Sequence, residues 1–172
     1  MKFLLEYVKF KPETTVKPVL VYHGHNNPKH KEMWFGHFPY FYMTPVKKYA
    51  KNFGTKLQQY EIDDSKFLDL TSLEIKEFPI PTLIKKLIKF GINLSKEDIE
   101  KMVNQWDERF WGFSEGCLWQ VIRNDYEGII KKVMLKHKIH GFKMMENKEE
   151  NEPPTLSYVL LDDTLILKKI KL

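Results

Sequence analysis

Cysteine is almost absent from this sequence. Cys117 is the single cysteine among 172 residues, so an internal disulfide is excluded. Small domains that fold in oxidising compartments commonly depend on disulfides. The sequence therefore predicts a cytoplasmic or other reducing intracellular compartment. No obvious base accompanies Cys117, and we interpret it as an inert thiol.

Long apolar runs are absent as well. No hydrophobic segment approaches the roughly 20 residues that a helix needs to cross a bilayer, which predicts no membrane partner. Segment 1–7 is interrupted by Glu6 and lacks a small-residue cleavage site, so it is not expected to be a signal peptide. The composition is 42% hydrophobic and 14% aromatic, more than disordered segments carry. We therefore predict one domain over residues 1–172, large enough to bury its own core.

The charge is only mildly positive. A net charge of +5 fits an anionic ligand such as a dinucleotide, or weak contact with nucleic acid, and establishes neither. Four tryptophans are able to stack on bases, although core packing is the commoner role of aromatic side chains. A basic nucleic-acid-binding module is therefore one hypothesis, and it rests on charge and on Trp34, Trp106, Trp111 and Trp119.

The order of predicted elements is strands, then helices, then strands. Alternating or apolar runs predict strands over 3–10, 16–22, 56–62, 142–145, 156–161 and 165–172. Thr44 and Pro45 predict a capped short helix over 45–52. The segment of about 80–138 is predicted to be helical. This order favours an α+β domain.

Two signals define the helical segment. Ser95 and Asp98 have the spacing of a capping box and predict a helix start. Ser114 can cap a second, longer helix whose apolar stripe extends to Met134 at helical spacing.

The most distinctive residues lie between Tyr22 and Gly54. They read Tyr22-His23-Gly24-His25, then Tyr42-Met43-Thr44-Pro45, then Tyr49-Ala50-Lys51-Asn52-Phe53-Gly54. A histidine at the end of an apolar strand and a tyrosine before a short helix can hold the ribose and the nicotinamide ring of NAD from two sides. These segments resemble the "YHGT" strand and the "YFT…YA…YG" segment of the ADP-ribosyltransferase family. Near the C-terminus, Ser157-Tyr158-Val159-Leu160-Leu161-Asp162 resembles that family's closing pattern "E-Y-V-V-F-D".

This resemblance implies a fold and an activity. The expected fold is an ADP-ribosyltransferase-like split β-sandwich with a helical insertion. The expected activity is mono-ADP-ribosyl transfer from NAD, as substrate, to a protein or nucleic acid. Dissociation of nicotinamide is expected before the acceptor attacks.

The resemblance also assigns roles to residues. It places the histidine that holds the adenosine-side ribose on His23 and the tyrosine that stacks on nicotinamide on Tyr42. Phe53 falls near a second stacking aromatic, and Tyr49 falls among the NAD-binding residues. Gly24 is expected to let the backbone approach the nicotinamide amide.

The glutamate position of the family falls on Ser157 in this sequence. A glutamate there stabilises the cation that forms as nicotinamide leaves, whereas serine supplies a hydroxyl without charge. Some family members that lack the glutamate transfer a single ADP-ribose and rely on a carboxylate of the substrate, whereas others bind NAD weakly or are inactive. A catalytically degenerate binding domain is therefore the main alternative. Glu146, Asp162 or Asp163 could supply a carboxylate from a shifted register, and nothing in the sequence selects one.

A metal site is a further alternative. His23 and His25 lie on one face of a predicted strand, where two imidazoles can share a zinc ion, and His30 and His37 follow. No third ligand stands out at a defined spacing. We therefore expect no metal.

Overall fold

The computed structural model describes residues 16–26, 40–71, 79–104, 125, 127–146 and 153–170. Several predictions lie outside these residues: the strand over 3–10, the roles of Cys117, His30 and His37, and the roles of Trp34, Trp106, Trp111 and Trp119. Within the described part, no helix is long and apolar enough to cross a membrane.

Seven strands are present in the described part of the chain. In chain order they are β1 (Pro18–His25), β2 (Phe41–Met43), β3 (Lys56–Asp63), β4 (Leu68–Asp69), β5 (Gly141–Glu146), β6 (Thr155–Leu160) and β7 (Ile166–Ile170). The first sheet has the order β1-β3-β7 and is antiparallel. The second has the order β2-β6-β5-β4, in which β4 and β5 are the parallel pair.

The described part of the chain also contains four α-helices: α1 (Lys47–Ala50), α2 (Pro79–Lys89), α3 (Lys96–Val103) and α4 (Ile129–Lys136). The last three lie between β4 and β5 in the chain, so the predicted α+β class is confirmed. Two 3₁₀ turns, Lys51–Phe53 and Asp64–Lys66, follow α1 and β3.

The core consists of two apolar clusters, and strand β6 contributes to both. Successive side chains of a strand point to opposite faces. Tyr158 and Leu160 accordingly belong to the apolar cluster with Val21 and Ile62 of the first sheet, whereas Val159 belongs to the cluster with helices α2, α3 and α4. The second sheet is therefore the middle layer, covered by the first sheet on one face and by helices on the other.

The predicted capping box of α3 is confirmed. The Ser95 hydroxyl accepts from the Asp98 N–H at 3.1 Å, and the Asp98 carboxylate accepts from the Ser95 N–H at 3.3 Å. Asp98 is 2% exposed and also accepts from Lys136 Nζ at 2.8 Å and contacts His137 Nε2 at 3.1 Å. The Lys136 and His137 contacts hold the pKa of Asp98 well below its usual range despite burial. One carboxylate thus caps α3 and joins it to the end of α4.

The predicted long helix from Ser114 to Met134 is wrong at residues 125, 127 and 128, which are not helical. Helix α4 begins at Ile129, directly after Gly128, which is in the left-handed conformation with φ 64°. The Asp125 carboxylate accepts from the N–H groups of residues 129, 130 and 131, donors that a helix start leaves without a partner. It also accepts from Tyr40 Oη at 2.6 Å, which ties α4 to the residue before β2.

The predicted role of Thr44 as a helix cap is also wrong. Helix α1 begins at Lys47, and the helical part ends as a 3₁₀ turn at Phe53. The Thr44 hydroxyl instead donates to the Leu156 carbonyl at 2.8 Å and accepts from the Val46 N–H at 3.2 Å. Thr44 therefore fixes the end of β2 to β6.

We predict that Asp98→Ala destabilises the protein by about 2–4 kcal/mol, because it removes a helix cap and two charge-assisted hydrogen bonds. Lys136 is half-exposed and can be solvated, which limits the loss. Chemical denaturation at neutral pH measures the effect, with the exposed Glu100→Ala in the same helix as the matched control. A difference within about 0.5 kcal/mol of that control, the usual range of surface substitutions, would contradict the assignment.

The same variant should show a defined pH dependence. A carboxylate with a lowered pKa in the folded state stabilises the protein above its ordinary pKa, here 3.8, and loses that contribution as the pH falls. The gap between wild type and Asp98→Ala should therefore shrink progressively below pH 3.8. A gap that stays constant or widens in acid would contradict the ion-paired state of Asp98.

Candidate functional site

Strands β1 and β2 are joined at one point and then enter different sheets. Tyr22 and Thr44 exchange two backbone hydrogen bonds, Tyr22 N–H to Thr44 O at 2.8 Å and Thr44 N–H to Tyr22 O at 3.0 Å. Beyond this bridge, β1 continues along β3 and β2 continues along β6. The two strands therefore diverge at the end of β1.

His23 lies at the point where the two strands separate. A continued antiparallel ladder would pair Tyr42 with Gly24, but the His23 ring reaches the Tyr42 carbonyl instead, with Nδ1 2.7 Å from the oxygen. A carbonyl oxygen only accepts, so Nδ1 carries a proton and donates this hydrogen bond. The ring stacks on buried Phe41, with centroids 4.1 Å apart. The imidazole is thus fixed in both tautomer and orientation.

A pocket of about 340 Å³ opens beside this point. Its walls come from β1, β2, α1 with its following turn, β5 and β6. It is lined by Tyr22, His23, Gly24, Tyr42, Met43, Thr44, Tyr49, Ala50, Phe53, Glu146 and Ser157. The structure therefore brings all six of the predicted site residues, His23, Gly24, Tyr42, Tyr49, Phe53 and Ser157, to one pocket.

The aromatic side chains of the pocket differ in exposure. Tyr49 is buried and contacts Phe53 edge to face, with ring centroids 5.3 Å apart and an interplanar angle of 73°. Phe53 is 50% exposed, so an aromatic surface is open to solvent at the pocket. Tyr42 is half-buried, lies in the middle of β2 and also packs against the helical layer of the core. A flat ring can therefore meet aromatic groups from two different elements.

Close packing explains the glycines at this site. A Cβ on Gly24 would overlap the Ala50 carbonyl oxygen, and a Cβ on Gly54 would overlap the backbone of His25. Helix α1 and its following turn thus lie directly against the backbone at the end of β1. This packing requires a glycine at position 24, whether or not the residue also lies beside a ligand as predicted.

Ser157 does not lie alone in its part of the pocket. It is 2% exposed, and its hydroxyl donates to Glu146 Oε2 at 2.7 Å. Burial raises the pKa of the Glu146 carboxyl, while the hydrogen bond from Ser157 acts in the opposite direction. The corner that the sequence assigns to a serine therefore contains a carboxyl group from the neighbouring strand.

The structure distinguishes the three carboxylates that the sequence left open. Glu146 lines the pocket, whereas Asp162 and Asp163 do not. Asp162 instead contacts His140 Nδ1 at 2.8 Å. The signal that selects Glu146 is the register of β5 on β6, in which Glu146 faces Thr155 and Met144 faces Ser157. Glu146 and Ser157 are therefore diagonal neighbours on one face of the sheet.

The histidines of β1 form a stacked pair. The rings of His23 and His25 have centroids 5.9 Å apart and an interplanar angle of 18°. Across the described ranges, no group of three His, Cys, Asp or Glu side chains is arranged to hold a metal ion.

No family model matches this sequence, and no curated protein matches it. One solved structure, titled "Crystal structure of an anti-CRISPR protein", is 14% identical and has a TM-score of 0.44. The match covers 89% of this chain and 96% of that chain. At that TM-score the likeness carries no argument about fold or function.

We predict that Ser157→Ala raises the pKa of Glu146 further, because the variant lacks the hydroxyl that stabilises the charged carboxylate. Carbon-detected NMR titration of the glutamate carboxyls measures this shift. Ser65→Ala is the matched control, since it removes the same kind of bond from Asp63, at 2.6 Å, outside the pocket. An unchanged or lower pKa for Glu146 would contradict the hydrogen bond described above.

Proposed function

We propose that the pocket binds NAD and that the domain transfers a single ADP-ribose group from NAD to a protein or nucleic acid. The observation that carries this proposal is the convergence of His23, Tyr42 and Ser157, which are separated by up to 134 positions in the chain, on the lining of one pocket. These are the positions to which the sequence resemblance assigns the ribose, nicotinamide and catalytic contacts.

The geometry of His23 suits its proposed contact. Because Nδ1 of His23 bonds the Tyr42 carbonyl, we assign the ligand contact of this ring to Nε2, which is the acceptor in that tautomer. A ribose hydroxyl is a donor that such a nitrogen can bind. The hydrogen bond to Tyr42 and the stacking on Phe41 order the ring before a ligand arrives, which reduces the entropy lost on binding.

The size and lining of the pocket suit one end of the dinucleotide. Ligand pockets typically enclose roughly 300–1,000 Å³ and are mainly apolar with a few placed polar groups. At about 340 Å³ this pocket is at the lower end of that range. We assign the nicotinamide riboside end to it, with the nicotinamide ring against Tyr42 and Phe53. The adenosine-side ribose then lies against His23, and the rest of NAD extends outward.

A cation lies beside one of the residues that line the pocket. The exposed Lys47 has its Nζ 5.9 Å from the centre of the Tyr22 ring, and Tyr22 lines the pocket. An ammonium group there favours an anion such as the diphosphate of NAD. The mildly basic composition of the chain agrees with an anionic ligand.

A binding domain without turnover is the second candidate. It is favoured by one observation, the serine that occupies the position where the family has its glutamate. Both candidates share the pocket and the ligand. They differ in whether nicotinamide is released.

We predict that His23→Ala weakens NAD binding by about 1–3 kcal/mol, the loss expected for one buried hydrogen-bonding group. Isothermal titration calorimetry measures it. His140→Ala is the control, since His140 bonds Asp162 and does not line the pocket. Equal affinities for wild type and His23→Ala, or equal losses in the two variants, would count against this site.

Transfer is tested with labelled NAD and a cell lysate. A labelled protein or nucleic acid supports the proposed reaction. Thermal stabilisation by NAD without labelling supports the binding domain. If neither occurs and the protein is retained on single-stranded nucleic acid in a salt-sensitive manner, the basic-module hypothesis replaces both.

A further inference from the structure

Loss of nicotinamide from NAD leaves positive charge on the anomeric carbon of the ribose. Preorganised charge aimed at such a centre is usually the largest catalytic contribution of a protein. Ser157 holds the position assigned to this role by the resemblance, but a hydroxyl has no net charge. A transferase built on this pocket therefore needs its anion from another position.

Glu146 is the carboxyl group that the fold brings to that position. It is the last residue of β5, and β5 pairs with β6 through the register Glu146 to Thr155 and Met144 to Ser157. Glu146 and Ser157 thus share one face of the sheet and both line the pocket. The Ser157 hydroxyl donates to Glu146 Oε2 at 2.7 Å.

The surroundings of Glu146 leave its charge uncompensated. In the described part of the chain its partner is the Ser157 hydroxyl, and no cation pairs with it. Lys143, on the same strand, is engaged by Asp64 at 2.9 Å and by Asp69 at 3.7 Å. A half-buried carboxylate without a cationic partner interacts more strongly with a cationic ligand than a solvated or paired one does.

We infer that Glu146 supplies the carboxylate that stabilises the ribosyl cation, and that Ser157 is a positioning residue that orients it. This inference rests on the proposed function. In the reaction, the bond between the ribose anomeric carbon and the nicotinamide nitrogen breaks, and its electron pair leaves with neutral nicotinamide. A nucleophilic oxygen or nitrogen of the acceptor, or water, then bonds to the same carbon and loses its proton to solvent. Glu146 remains unchanged as an anion beside the cation.

The decisive test separates binding from chemistry. Glu146→Gln keeps the shape and the hydrogen bond to Ser157 but removes the charge. We expect its affinity for a hydrolysis-resistant NAD analogue to stay within about threefold of wild type, since the interaction belongs to the transition state. We expect nicotinamide release from NAD to fall by about 100-fold or more, the effect of removing a preorganised electrostatic group. Glu61→Gln on β3, outside the pocket, is the matched control and should release nicotinamide at the wild-type rate.

A double variant that restores the negative charge shows whether a lower rate reflects lost charge or lost folding. In the double variant Glu146→Gln with Ser157→Glu, the carboxylate returns on the neighbouring strand, and release should recover at least about tenfold over Glu146→Gln, a restored part of the electrostatic contribution. No recovery, in a double variant that still binds the analogue, would contradict the assignment of this corner to the cation.

The role of Ser157 has its own readout. The other titratable side chains that line the pocket are His23, Tyr22, Tyr42 and Tyr49. Because Ser157→Ala raises the pKa of Glu146, the acidic limb of the rate–pH profile should move to higher pH. A lower rate with an unmoved acidic limb would mean that Ser157 acts only through packing.

The outcomes separate the inference from the proposed function. Wild-type protein that binds the NAD analogue while Glu146→Gln releases nicotinamide at the wild-type rate overturns the inference and leaves the transferase. Wild-type protein that binds the analogue but never releases nicotinamide also overturns it, and leaves the binding domain. Wild-type protein that binds neither NAD nor the analogue overturns the proposed function and the inference with it.

Discussion

The candidate site depends on one pair of backbone hydrogen bonds, between Tyr22 and Thr44. These bonds hold β1 and β2 together for a single residue pair and no further, because each strand has a longer partner in its own sheet. Had the ladder continued to Gly24 and Tyr42, backbone pairing would have closed the space that is now a pocket. The carbonyl of Tyr42 is satisfied by the His23 imidazole instead, so the divergence of the strands does not leave this carbonyl unpaired. One local interruption thus creates the space, orders the histidine and places the tyrosine.

The remaining walls follow from this divergence. Gly24 allows α1 to lie against the end of β1 without a side chain between them, which brings Tyr49 and Phe53 to the opening. Thr44 bonds the Leu156 carbonyl, which fixes β2 to β6 and thereby sets the distance between Tyr42 and Ser157. The pocket therefore results from strand pairing and close backbone packing, and most of its lining residues also stabilise the fold. The same side chains are therefore suited both to packing and to binding a ligand.

Sequence reasoning succeeded where the signal was local. The capping box of Ser95 and Asp98 needs only three residues of spacing, and the α+β class follows from the order of elements. It failed where a distant partner decided the structure: Thr44 bonds a residue 112 positions away rather than capping α1. At Asp125 the apolar stripe continued in helical spacing, but a side-chain cap and the left-handed Gly128 make a helix begin at Ile129. Glu146 could be named as a candidate but not selected, since the choice required the register of β5 on β6. The ADP-ribosyltransferase-like arrangement and the NAD site remain predictions drawn from the resemblance.

The central claim is that NAD enters the space between β1 and β2. Titration of isotopically labelled protein with NAD, followed by amide NMR, tests it directly. We predict saturable shifts at Gly24, Tyr42, Phe53 and Ser157, with the amides of β7, on the far edge of the first sheet, unaffected. Saturable shifts confined to other surfaces, or no shifts at all with millimolar NAD, would contradict it.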